Sequence, residues 1–116
     1  MPNYMYIFRG GQNKSTLSPE ELQVHVGKWM SWMDCLKEEG QLIEGLPFTG
    51  VGKTVTREVV TDGPYTEGQE LVGGCFIMNA STLEEASQIA YNCPIMVEGG
   101  SVEVREILSV PELVEN

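Results

Sequence analysis

Residues that hold metals or build disulfide scaffolds are scarce in this sequence. Its 116 residues include one histidine and three cysteines, and no two cysteines form a C-x-x-C pair. Structural zinc sites and disulfide frameworks need more such residues at closer spacing. We therefore expect no metal or other cofactor, and we interpret Cys35, Cys75 and Cys93 as small buried residues in a reducing compartment.

Positive charge is almost absent from the second half of the chain. Arg105 is the one base in residues 59–116, although most of the 17 acidic residues lie there and the net charge is −10. A surface of this sign repels the phosphates of nucleic acids and anionic lipids. The charge pattern therefore predicts neither a nucleic-acid partner nor a membrane partner.

Long apolar runs are missing as well. No stretch approaches the ~20 apolar residues of a membrane span. The start Met1-Pro2-Asn3-Tyr4 has no basic segment followed by an apolar one, so we expect no secretory signal and a cytoplasmic location. With 41% apolar residues, the chain fits one small domain over residues 1–116.

Two helices are indicated by capping residues and apolar periodicity. The first begins at Ser18, where Pro19 and the capping-box residue Glu21 follow, and its apolar stripe is Leu22, Val26, Trp29, Met33 and Leu36, bordered by His25 and Trp32. The second begins at Ser81, with Glu84 completing a capping box, and ends at Pro94.

Runs of β-branched and aromatic residues predict strands over residues 4–8, 41–45, 53–60, 71–78 and 101–108, and 53–60 alternatively folds as a hairpin. The resulting order, β-α-β-β-α-β, fits an α+β sandwich of ferredoxin-like type.

Two helices can cover only one face of such a sheet, yet the first and central strands are apolar on both faces. In the first strand Tyr4, Tyr6 and Phe8 alternate with Met5 and Ile7. Large bare apolar surfaces are rare on monomers. We therefore predict a homodimer in which a second subunit covers the other face by two-fold symmetry.

His25 is the single histidine and lies one helical turn from both Glu21 and Trp29. It is either an ordinary histidine at the flank of the helix or a general acid and base in a cleft between helix and sheet.

The segment Asp62-Gly63-Pro64-Tyr65-Thr66-Glu67-Gly68-Gln69-Glu70 places three carboxylates beside a rigid turn and an aromatic ring. Carboxylates that are desolvated next to each other can exchange protons near neutral pH. The alternative is a solvated turn in which Asp62 caps local backbone N–H groups.

Arg105 alternates with Val102 and Val104 along the last strand. If the valines face the helices, Arg105 points to the predicted subunit interface, where it either pairs with an acidic residue or holds a substrate carboxylate.

Residues 62–70 also carry a family resemblance. They are similar to the D-G-P-F/Y-x-E-x-K-E signature of the YCII-related proteins of the DGPF type, with Gln69 in place of the lysine. The similarity continues through Leu71-Val72-Gly73-Gly74, Cys93-Pro94 and residues 100–105, and it spans nearly the whole chain.

The resemblance implies a dimeric α+β barrel of ferredoxin-like subunits in a bacterial cytoplasm, with a cleft beside the sheet. Related YciI-type proteins imply a His and Asp pair as acid and base, and one relative is a dehydrochlorinase of a chlorinated hydroquinone. In this chain Trp29 stands where those relatives have their first-helix histidine, and His25 lies one turn earlier.

These observations favour a homodimeric enzyme with lyase- or isomerase-like chemistry on a small organic molecule. Asp62, Glu67 and His25 are the candidate catalytic residues. The candidate substrate-binding residues are Tyr65, Glu70, Arg105 and Trp29. The alternative is a non-catalytic module that binds a small ligand or regulates a partner.

Overall fold

The computed structural model describes residues 2–11, 16–49, 51–63, 66–67 and 70–109, with the backbone alone at 66–67 and 70–71. The elements follow one another as β1 (Asn3–Arg9), α1 (Pro19–Glu38), β2 (Leu42–Pro47), β3 (Lys53–Val55), β4 (Val60–Asp62), β5 (Thr66–Glu67), β6 (Glu70–Asn79), α2 (Leu83–Ala90), a 3-10 helix (Pro94–Glu98) and β7 (Ser101–Glu106).

The main sheet has the strand order β2-β6-β1-β7, and every neighbouring pair is antiparallel. Strand β1 therefore lies inside the sheet, where Tyr6 pairs with Phe76 of β6 on one side and Val104 of β7 on the other. The short strand β5 pairs with β6, and β3 pairs with β4 in a separate ribbon. Without β3, β4 and β5, the order is β-α-β-β-α-β, which confirms the ferredoxin-like α+β fold.

The core forms where one face of the sheet meets the helices. Alternate residues of β1 point to this face, and Tyr4, Tyr6 and Phe8 are buried there. Phe76 and Met78 of β6 lie beside them. The helices contribute the buried residues Trp32, Leu36, Ala86 and Ala90. Burial of this apolar and aromatic surface is the main force that holds the two layers together.

Helix α1 has the predicted N-terminus, and its buried face keeps part of the predicted stripe, since Leu36 is buried and Trp29 and Met33 pack against the core. Ser18 accepts a hydrogen bond from the Glu21 N–H at 3.1 Å, and the Glu21 carboxylate accepts one from the Ser18 N–H at 3.0 Å. The buried residues are His25, Trp32 and Leu36. His25 is therefore not a flank residue.

Two residues of the predicted stripe, Leu22 and Val26, are 37% and 47% exposed. Val26 and Met33 border an open hollow beside the sheet, so apolar character along this helix does not mean full burial.

The N-terminus of α2 lies one residue later than predicted. Thr82, not Ser81, is the N-cap, and its hydroxyl accepts a hydrogen bond from the Glu85 N–H at 3.1 Å. Both pairs Ser81–Glu84 and Thr82–Glu85 have the spacing of a capping box, so the pattern alone does not distinguish them.

Residues 53–60 do not form one continuous strand. They contribute to the hairpin of β3 and β4, in which Lys53 pairs with Asp62 and the Thr56 N–H donates to the Val59 carbonyl at 2.7 Å. The hairpin alternative is therefore correct.

The prediction that all three cysteines are buried is wrong for Cys35. This residue is exposed on α1, whereas Cys75 and Cys93 are buried. Cys35 lies at the border of the helix face that carries Trp32 and Leu36, where its side chain stays in contact with solvent. Burial raises the pKa of the Cys93 thiol to about 12 and raises that of Cys75 as well.

The sheet face away from the helices has a charged edge. Glu103 accepts hydrogen bonds from Arg9 and, at 3.3 Å, from Arg105. The hydrogen bond from Arg9 is the main reason that the pKa of Glu103 lies below its usual range, and the bond from Arg105 adds to the effect.

Within the described ranges, neither helix has the length and apolar character that crossing a bilayer requires.

Candidate functional site

A hollow of about 370 Å³ opens between α1 and the end of the sheet. Its walls are largely apolar and come from β1, α1, β2, β6 and the 3-10 helix. The side chains that line it include Phe8, Val26, Trp29, Met30, Met33, Pro47, Phe76 and Ile95. This volume lies in the range of sites that bind small molecules.

Three aromatic rings build the rigid part of this wall. Phe8 contacts Phe76 edge to face, with ring centroids 4.8 Å apart, and contacts Trp29 in the same manner at 5.1 Å. Trp29 and Phe76 are themselves 6.1 Å apart. Edge-to-face contacts fix the orientation of each ring, so the shape of the hollow is set by core packing.

His25 and Glu98 are the only ionisable side chains among the described residues that line this hollow. The Nδ1 atom of His25 lies 2.7 Å from Oε2 of Glu98, and the two side chains are 8% and 11% exposed. At this distance Nδ1 is buried but makes no hydrogen bond among the described residues. Hydrogen bonds of catalytic groups often align only when a substrate is bound.

A second hollow, of about 330 Å³, shares His25 and Glu98 with the first. Its other lining residues are Leu17, Glu20, Glu21, Val24 and Lys28. The pair therefore borders an apolar space and a charged space at once. An imidazole next to a carboxylate in this position can take a proton from a bound molecule and exchange it with solvent.

The backbone around Glu98 explains its position. Pro94 begins the 3-10 helix, Ile95 anchors it in the core, and Gly99 ends it with a φ of 81°. The Gly100 N–H donates to the Ile95 carbonyl at 3.0 Å, which closes the turn. Only glycine adopts such a φ at little cost, so the Gly99-Gly100 pair allows the chain to turn from Glu98 directly into β7.

The predicted site residues do not all converge here. Trp29 and His25 line the apolar hollow together. Asp62 lies on the β3–β4 hairpin, where its carboxylate accepts a hydrogen bond from the Lys53 ammonium at 2.9 Å, and its side chain is 96% exposed. Arg105 pairs with Glu103 on the opposite sheet face.

The remaining predicted residues fall outside what the structure describes. Tyr65 lies outside the described residues, and so do the side chains of Glu67 and Glu70. No group of three or more His, Cys, Asp or Glu side chains is placed to hold a metal ion in the described ranges.

Sequence reasoning missed Glu98. It stands alone between Val97 and Gly99, in a segment to which the apolar pattern assigns no element. The Gly99-Gly100 pair signals a turn, but nothing in the local sequence links this carboxylate to a histidine on the first helix.

Comparisons with known proteins identify a family for this chain and one similar solved structure. No curated protein matches the chain. A solved structure that is similar is 5-chloro-2-hydroxyhydroquinone dehydrochlorinase from Burkholderia phenoliruptrix AC1100, in complex with 2,5-dihydroxybenzoquinone. The two are 19% identical, with a TM-score of 0.49, over 90% of this chain and 93% of that one. The YCII-related domain model matches residues 3–111, so the family resemblance seen in the sequence is confirmed and this chain belongs to the YCII-related domain family.

Proposed function

We propose that this chain is a small cytoplasmic enzyme that moves a proton on a small organic ring compound, with lyase- or isomerase-like chemistry. One observation carries the proposal. The His25–Glu98 pair lies at the wall of a hollow that is otherwise lined by apolar and aromatic side chains.

The surroundings of the pair favour acid–base chemistry. Apolar walls exclude water, and charges act more strongly on a bound molecule where water is excluded. A positioned acid or base accelerates proton transfer by about 10²–10⁴-fold, and an imidazole ring can serve as either. The rings of Phe8, Trp29 and Phe76 favour a flat, uncharged molecule that stacks or packs edge-on.

The test uses an activated probe, because the natural substrate is not needed to detect a base in an apolar hollow. 5-Nitrobenzisoxazole is a neutral, flat molecule. When a base removes its ring C–H proton, the electron pair forms the nitrile, the N–O bond breaks and a coloured phenolate is released. We expect the protein to accelerate this reaction over free imidazole, and the variant His25→Gln to lose about 10²-fold or more of the rate.

Asp62→Asn is the matched comparison, because it also converts one candidate proton-transfer group to an amide. Circular dichroism checks that both variants fold. A loss confined to His25→Gln supports the proposal. If the wild-type protein gives no acceleration, or if the loss occurs in Asp62→Asn instead, the base is not His25 and the proposal is wrong.

We also propose that the protein is a two-fold homodimer. Met5, Ile7 and Ile77 lie half-buried on the sheet face away from the helices, and a second copy would remove their remaining surface from water. Light scattering at micromolar concentration should give twice the mass of one chain, and Ile7→Glu should reduce it to that of a single chain. A wild-type mass of one chain would contradict the dimer.

A further inference from the structure

We propose that Glu98 is a positioning residue that holds the proton of the neutral His25 ring on Nδ1, so that Nε2 is the nitrogen that accepts a proton from the substrate. The inference rests on the proposed function, because it assigns the roles of the two nitrogens in that same site. In the part of the chain that the structure describes, Glu98 provides the one carboxylate within 4 Å of a His25 ring nitrogen.

The contact between Glu98 and Nδ1 determines which tautomer of the neutral His25 ring is favoured. A neutral imidazole carries one proton, on either nitrogen, and a carboxylate next to one of them favours the form in which that nitrogen is protonated. The contact from Nδ1 to Oε2 is 2.7 Å, and both side chains are nearly buried. Little water reaches this contact, so once the Nδ1–H aligns with Oε2 the carboxylate keeps the proton on Nδ1 and the lone pair remains on Nε2.

Glu98 is held independently of His25. Its element is anchored by Ile95, which is 4% exposed, and by the hydrogen bond from the Gly100 N–H to Ile95. Gly11, which follows β1, packs closely against the 3-10 helix. A Cβ atom on Gly11 would lie 3.3 Å from the Glu98 carboxylate. A carboxylate fixed by the backbone can orient a ring on another element at little entropic cost.

The other charged groups near His25 are less suited to this role. Glu21 lies one turn before it on α1, but its carboxylate accepts hydrogen bonds from Ser18, which hold its pKa below the usual range. Glu20 and Lys28 line the charged hollow and are exposed. None of these three forms an ion pair with His25 among the contacts of the described residues.

Because the chain has a single histidine, one NMR experiment reads its tautomer without ambiguity. Long-range ¹H–¹⁵N spectra of the labelled protein, recorded where the ring is neutral, distinguish the protonated nitrogen from the bare one. We expect the Nδ1–H form to dominate in the wild type. In Glu98→Gln the Nδ1–H form should fall to a minority, and Glu98→Asp should restore part of it.

Glu20→Gln is the matched control, because it removes one carboxylate from the same charged hollow without touching the ring. Its spectrum should equal that of the wild type. A wild-type ring protonated on Nε2, or a tautomer ratio that Glu98→Gln leaves unchanged, would overturn the inference. If Glu98→Gln does not fold, the wild type and Glu98→Asp still decide the question.

Kinetics with 5-nitrobenzisoxazole provide a second readout. In metal sites, loss of the carboxylate that orients a histidine typically costs 10–100-fold in metal affinity or activity, and we expect an effect of similar size here. We expect Glu98→Gln to lower kcat by about tenfold or more with little change in KM, and an unchanged kcat would overturn the positioning role. The two proposals fail separately, because the NMR result holds or fails without any turnover.

Discussion

Replacing Tyr6 by alanine should destabilise the protein by about 3–5 kcal/mol, the range measured when a large aromatic side chain is removed from a core. Tyr6 is fully buried in the central strand, and its ring is stacked with that of Trp32 at 6.4 Å. Its hydroxyl donates a hydrogen bond to the Ala86 carbonyl of α2, and burial raises its pKa, so the proton stays in place. One side chain therefore joins the sheet to both helices.

Urea denaturation followed by circular dichroism measures this loss, with Tyr91→Ala as the matched control. Tyr91 is 76% exposed, so the same substitution there should change stability by less than about 0.5 kcal/mol. Tyr6→Phe keeps the ring and loses only the hydrogen bond, which should cost about 1 kcal/mol. Equal losses at Tyr6 and Tyr91 would mean that the sheet and helices do not pack through Tyr6.

The sequence predicts those parts of the fold that depend on local pattern. Ser18 and Glu21 identify the start of α1 because a capping box is a contact between neighbours in the chain. The alternation of Tyr4, Tyr6 and Phe8 identifies the core face of β1 because successive strand residues point to opposite sides. The order of these elements along the chain then indicates the ferredoxin-like fold.

The prediction fails where a residue's environment is set by a distant element. Val26 and Met33 fit a core stripe on α1, yet they border a hollow, because the size of the gap between helix and sheet depends on residues from five elements. Cys35 is of a residue type that is usually buried, but it is exposed to solvent. In each case the sequence identifies the apolar residue, but how deeply its side chain is buried depends on other elements of the fold.

The candidate site also has one part that the sequence can predict and one that it cannot. His25 and Trp29 share the hollow because they are one turn apart on one helix, which a sequence can show. The pairing of His25 with Glu98 depends on how the chain after α2 returns to β1, and no spacing rule predicts it. Asp62 is the most conspicuous acid in the sequence, but it lies on a hairpin whose strands, in the part of the chain that the structure describes, pair only with each other.

Adding one methyl group at Gly100 should disturb both the fold and the site. A Cβ atom there would lie 2.7 Å from the Arg9 carbonyl oxygen and 2.8 Å from the Gly11 nitrogen, and backbone atoms cannot move aside as a flexible side chain can. Overpacking of this kind costs about 1–3 kcal/mol, and more where the backbone must shift. We expect Gly100→Ala to lower the free energy of unfolding, measured by urea denaturation, by that amount.

The same clash should separate Glu98 from His25, because the backbone that must give way includes the turn that carries Glu98. In a folded Gly100→Ala protein, the Nδ1–H tautomer of His25 should therefore decrease although neither residue of the pair has been changed. Gly27→Ala is the control: a Cβ atom meets nothing within 4 Å on the exposed face of α1, so stability should rise by up to about 1 kcal/mol and the tautomer should stay the same. An unchanged tautomer in destabilised Gly100→Ala would show that Glu98 keeps its place without this close backbone contact, and the tight packing of the 3-10 helix against the end of β1 would then serve stability alone.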